Sequence, residues 1–178
     1  MTKLLGSLVL AAMAVALTPK SALAEQGVPI NASFTVAFTR TNNTTNATYC
    51  GAQVLPFAVA ANGAGYSSKL GALSFALQKT SSAALGIFQG CAAFRSPDGD
   101  ALYANYAGTN SGGAGFGTLT FTGGTGRFEG ATGSATWTGI FVGLYPTLTT
   151  FGGGTIPYLQ GTAFYFVEGT VYLEKQKH

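Results

Sequence analysis

Reactive side chains are scarce: the 178 residues include six acids, one histidine and two cysteines. Glu168 has the most suggestive setting among the acids. It alternates in phase with Phe164 and Phe166, so on a strand the three share a face. A carboxyl projecting with those rings into an apolar lumen would have its pKa raised by desolvation. The competing reading is that the strand bends at Gly169 and Glu168 emerges at a rim. Tyr103, Tyr106, Tyr165 and Tyr172 offer hydroxyls to a ligand, and Phe164 and Phe166 offer apolar contact, although barrel tyrosines also serve as packing.

Other constellations are thinner. Asp98 and Asp100 are spaced so that alternate carboxylates of a turn could share a calcium ion, but turn formation accounts for both. Arg127 and Glu129 have the same strand parity, which fits a surface ion pair. The single histidine, His178, trails a Lys-Gln-Lys tail, so neither a Ser-His-Asp triad nor a zinc site is expected. No cofactor is expected either, because the glycines at 123–126 join strand to strand and do not open a phosphate-binding helix. Cys50 and Cys91 form a disulfide in the simplest reading, the alternative being free or metal-binding thiols.

The elements that must position these residues are strands. Glycine supplies 26 residues and charged side chains only 8%, too few to decorate several amphipathic helices. Phe34, Val36 and Phe38 alternate with small or polar neighbours, as do Leu73, Phe75 and Leu77, and Leu119 and Phe121. Six to eight strands follow. Ser96-Pro97-Asp98-Gly99-Asp100 reads as a hairpin turn, and Gly123-Gly124-Thr125-Gly126 as another. Pro56–Ser68 reads as a short helix or loop, Gly108–Gly115 as a flexible connection, and Gly139–Tyr158 as an apolar loop. The last strand has apolar residues on both faces, Ala163, Tyr165 and Val167 against Phe164 and Phe166. One face therefore packs on a loop or meets another subunit.

The first 24 residues read as a secretory signal: Lys3, an apolar stretch from Leu4 to Leu17, and the small-residue end Ser21-Ala22-Leu23-Ala24. The expected mature chain, Glu25–His178, is one domain, exported to the periplasm or cell exterior. It loses Lys3 and Lys20 and moves towards neutrality, so nucleic acid is a poor partner. No later run is long enough for a spanning helix, and an integral membrane protein is not expected.

The segment Gly117 to Gly133, GTLTFTGGTGRFEGATG, resembles the hairpin of allene oxide cyclase and dirigent-like barrels. Gly123, Gly124 and Gly126 match the turn, Phe128 the inward aromatic, and Gly130, Ala131 and Gly133 a small-residue bulge. Asp98-Gly99-Asp100 followed by Tyr103 and Tyr106 is similar to the preceding hairpin of bacterial, secreted members. The resemblance implies an all-β, antiparallel, closed or nearly closed barrel of about eight strands, of calycin type. It assigns Glu129 to the scaffold, and it leaves the acids of the family's pockets without counterparts.

The function expected is a non-enzymatic binding or accessory protein for a small hydrophobic ligand, as a monomer or a dimer or trimer. An isomerase or cyclase acting on a lipid or phenolic intermediate, a surface-assembly protein, and an outer-membrane barrel are the alternatives. Expression of the full chain in a bacterial host should yield an exported product beginning at Glu25; intact mass and amino-terminal sequencing check this.

Overall fold

In the computed structural model, which describes residues 26–111, 113–151 and 154–174, with side chains other than those of 26 and 143–158, the backbone closes on itself. Eight strands follow in order: β1 Gln26–Asn42, β2 Phe57–Ser67, β3 Gly71–Ser82, β4 Ile87–Arg95, β5 Ala101–Ser111, β6 Ala114–Gly124, β7 Thr132–Phe151 and β8 Gly154–Leu173. Each pairs antiparallel with its sequence neighbours, and β8 returns to β1, completing a barrel with no free edge around its body.

Alternation decides what faces inward. On β1, Ile30, Ala32, Phe34 and Val36 are buried while Asn31, Ser33 and Thr35 are exposed. The same two-residue period buries Leu73, Phe75 and Leu77 on β3 and Ala163, Tyr165 and Val167 on β8. One core results, the filled lumen.

Three segments differ from their sequence reading. Pro56–Ser68 contains β2: its alanines and glycines give little hydropathy contrast, which hides the period. They are small because β1 passes close. A Cβ on Gly63 or Gly65 would collide with the carbonyl of Thr35 or Ser33. Gly108–Gly115 is the tight junction of β5 and β6. Of Gly139–Tyr158, the described parts up to Phe151 and from Gly154 are no loop but the ends of β7 and β8, which continue as a two-stranded ribbon. Pro146 and Pro157 are tolerated there because β6 pairing stops at Ile140 and β1 pairing at Leu159, leaving outer edges that need no donor. The bulge expected at Gly130–Gly133 lies elsewhere: β5 and β6 change register between Tyr103 and Ala104, opposite Thr122.

Cys50 and Cys91 are joined, with Cα atoms 5.7 Å apart. The bond holds the 43–56 segment against the outside of β3 and β4. Asn43, itself buried, accepts from the Ala47 amide at 2.8 Å and donates to the carbonyl oxygens of Ala47 and Leu55. Thr80 Oγ1 donates to the Gln53 carbonyl at 3.0 Å, so this outward residue is wholly buried under the strap. Opening a bond of sequence separation 41 removes a loop constraint of about 4 kcal/mol in the chain-entropy treatment. A Cys50→Ser/Cys91→Ser variant should lose stability of that order in urea unfolding, and the Ala47 amide should lose protection from hydrogen exchange.

Candidate functional site at the open end of the barrel

The two ends of the lumen are built differently. Where β6 turns into β7, a 3-10 turn at Gly126–Phe128 drives Phe128 inward until it is wholly buried. Gly126 takes φ +56°, and its missing Cβ leaves room for the Asp100 carboxylate. Arg127 locks this plug: Nη2 donates to the Leu70 carbonyl at 3.1 Å, and Nε lies 4.0 Å from Asp100 Oδ2. Arg127 therefore pairs with Asp100 and not with the expected Glu129. Asp98 and Asp100 belong to the turn closed by the Gly99 amide on the Ser96 carbonyl. Among the described residues, no three potential metal-binding side chains gather.

Above the plug the lumen is a column of rings. Phe34, Phe75 and Phe94 form a triangle with centroids 5.2–5.4 Å apart. Tyr165 follows, 5.7 Å from Phe75, and then Trp137, stacked on Tyr106 at 4.6 Å and 18°. The indole Nε1 donates to the Ala107 carbonyl at 3.0 Å. Its flat fit needs bare backbone beneath it. A Cβ on Gly108 would collide with the indole, and one on Gly115 would lie 3.0 Å from it.

The column stops short of the other end, leaving a cavity of about 120 Å³ lined by Phe38, Val59, Phe88, Phe141, Tyr165 and Lys79, with Arg40, Ser81 and Asn110 as further polar groups. A groove of about 460 Å³ outside the barrel, between Ser33, Tyr66, Phe166 and Glu168, is larger but open, with no buried ionisable group. The chemistry lies inside.

Lys79 continues the inward parity of Leu73, Phe75 and Leu77 and is 3% exposed. Its Nζ lies 3.9 Å from the centroid of Phe88, 5.0 Å from Tyr106 and 5.9 Å from Phe141. Among the described residues it has no hydrogen-bond or carboxylate partner. The rings favour the ammonium form, but desolvation outweighs them and lowers the pKa to about 7. Burial acts on the phenols in the opposite sense. It raises Tyr106 well above the ordinary phenol value, with Tyr165 adding to the shift, and raises Tyr165 to about 12. The two phenols influence each other, yet not in a geometry that satisfies Tyr106 Oη, which stays buried and unpartnered among the described residues.

Of the residues singled out in the sequence, Tyr106 and Tyr165 meet in this column. The others do not. Phe164 and Phe166 are 41% and 52% exposed, and Glu168 lies with them on the outer wall, so of its two readings the lumen carboxylate is the one that fails. Ala163, Tyr165 and Val167 occupy the inward positions instead. Tyr103 and Tyr172 are also on the exterior. Lys79 was legible by extending the Leu73–Leu77 alternation by one more step.

The lysine gives stability a characteristic pH dependence. The unfolded chain binds its proton up to about pH 10.5, whereas the folded chain gives it up near pH 7. The penalty is fully present below pH 7 and fades as pH rises, by up to about 1.4 kcal/mol per unit. Above about pH 10 the tyrosines reverse the trend, since they ionise first in the unfolded chain. Urea midpoints should climb from pH 7 towards pH 10, and Lys79→Met should flatten most of that climb.

No protein-family model and no curated protein matches the sequence. Among solved structures, the chain is similar to the pterocarpan synthase dirigent protein, with a TM-score of 0.46 and 15% identity over 86% of this chain and 88% of that one.

Proposed function

We propose that the protein is an exported, non-enzymatic binding protein that holds a small, ring-bearing apolar molecule at the open end of its barrel. The observation carrying this reading is the 120 Å³ cavity walled by Phe38, Phe88, Phe141 and Tyr165 around a single amine. Its volume is close to that of a cavity known to admit benzene (about 150 Å³) and below the range of drug-sized pockets (from about 300 Å³). Phenols that stay protonated and an amine without an acid beside it suit orientation of a ligand better than proton relay. The leader-like segment and the Cys50–Cys91 bond support export to an oxidising compartment.

Assembly through the outer wall is a second reading, favoured by one observation. Phe116, Ile140, Phe164 and Phe166 are exposed across β6, β7 and β8, with Ile140 directly opposite Phe164. The two readings use opposite faces of the barrel wall and are compatible.

Trp137, the sole tryptophan, reports on the interior because it packs 5.5 Å from Tyr165 and 6.4 Å from Phe88. Titration with benzyl alcohol should change its fluorescence saturably, at one site per chain. Ala61→Phe, which fills the cavity from β2, should weaken binding at least tenfold. A linear, unsaturable response would overturn the reading. Native mass spectra of the same sample reveal whether the wild-type chain is a monomer or a multimer.

A further inference from the structure

The Lys79 side chain is unusual in making no hydrogen bond or ion pair among the described residues, only contacts with rings. A buried ammonium normally keeps a carboxylate or several acceptors around it. This one has rings on several sides and, among the described residues, no acceptor hydrogen-bonded to it, and its head borders a cavity. Replacing it by an apolar side chain would relieve the fold of a desolvation cost. The amine is therefore better explained by what enters the cavity than by what surrounds it.

We propose that Lys79 captures a small aromatic aldehyde or ketone as a reversible imine. The inference rests on the reading of the open-end cavity as a ligand site, and it assigns the ligand a carbonyl group. The neutral Nζ adds its lone pair to the carbonyl carbon, and the C–O π pair moves to oxygen. The nitrogen's two protons pass to that oxygen, which leaves as one molecule of water as the C=N bond forms. Water entering the cavity runs the step backwards, so no oxidant, reductant or metal is needed.

Three features of the site favour a carbonyl over a carboxylate. A neutral carbonyl enters the ring-lined part of the chamber without the desolvation cost of an anion, and the Arg40 guanidinium on the lining is stacked over the Phe57 ring at 4.6 Å. The amine is substantially neutral near pH 7 and thus nucleophilic there. Tyr165 lines the same cavity and, with its pKa raised to about 12, keeps an O–H to offer the carbonyl oxygen. The rings of Phe88 and Phe141 bound the space where an aryl group attached to that carbonyl would lie.

The test is to incubate the full-length secreted protein with benzaldehyde near pH 7, trap any imine with cyanoborohydride, and map the benzylated lysine by peptide mass spectrometry. Benzyl alcohol, which has the ring but no carbonyl, is titrated in parallel against Trp137 fluorescence. The expected result is one benzyl group per chain, at Lys79, exceeding labelling of the exposed Lys69 by about tenfold or more. Labelling at that site should be absent in Lys79→Met. If benzyl alcohol binds saturably while benzaldehyde leaves Lys79 unlabelled, the imine is overturned and the binding site stands. The imine is overturned equally if benzoate binds in place of the aldehyde, with Lys79 acting only as a counter-ion. If neither binding nor labelling occurs, both readings fall. The wild-type map decides the matter even if the variant misfolds.

Discussion

An eight-stranded barrel sends every second side chain into one narrow lumen, and whatever stands at those positions must fill it. The chain meets this constraint mostly with rings. From Phe128 at the plug through Phe34, Phe75 and Phe94 to Trp137, each ring rests on the next at 4.6–5.7 Å, apart from the seating of Phe128 itself. Closure and filling depend on each other. The strands can coil tightly because glycines such as Gly63 and Gly65 let backbones approach, and Trp137 can lie flat because Gly108 and Gly115 leave backbone bare. The abundance of glycine and of aromatics in the composition are thus two sides of one packing solution.

Polarity in the lumen is confined to one region. The plugged end is dry and locked from outside by Arg127, whose contacts reach Leu70 and Asp100 on other parts of the chain. Towards the other end come the Tyr106 and Tyr165 phenols and then the Lys79 amine, each displaced from its ordinary titration by burial alone or chiefly by burial. Both displacements favour the uncharged form, and the Arg40 guanidinium adds a cation to the lining of the cavity. A site of this kind distinguishes ligands by shape and by hydrogen-bonding or reactive groups.

Much of the architecture was readable in the sequence. Alternation at 33–38, 73–78 and 118–122 marked strands, and the Gly117–Gly133 segment pointed to a barrel. What escaped did so for physical reasons. In β2 the side chains are too small to show a period, and in the β7–β8 ribbon prolines imitate loops although they occupy unpaired edges. On β8 both faces are apolar, so parity could be read but not its direction, and that ambiguity left Glu168 open to a place in the lumen or at a rim. Lys79 was missed because a lone cation at the end of an apolar alternation looks like a residue returning to solvent. The barrel simply continues for another turn of the pleat.

The strap held by Cys50 and Cys91 acts on more than the outer wall. Thr80, clasped from outside, is the neighbour of Lys79, and Gln89, whose side chain accepts from the Gln53 amide at 3.4 Å, is the neighbour of Phe88. On a pleated strand, fixing one residue from without fixes the direction of the next one within. The amine and the ring it faces at 3.9 Å are therefore aligned by a brace on the opposite side of the wall. The outer strap and the inner chamber are thus two sides of one piece of wall, and whatever loosens the strap from β3 and β4 is felt by the amine and its ring.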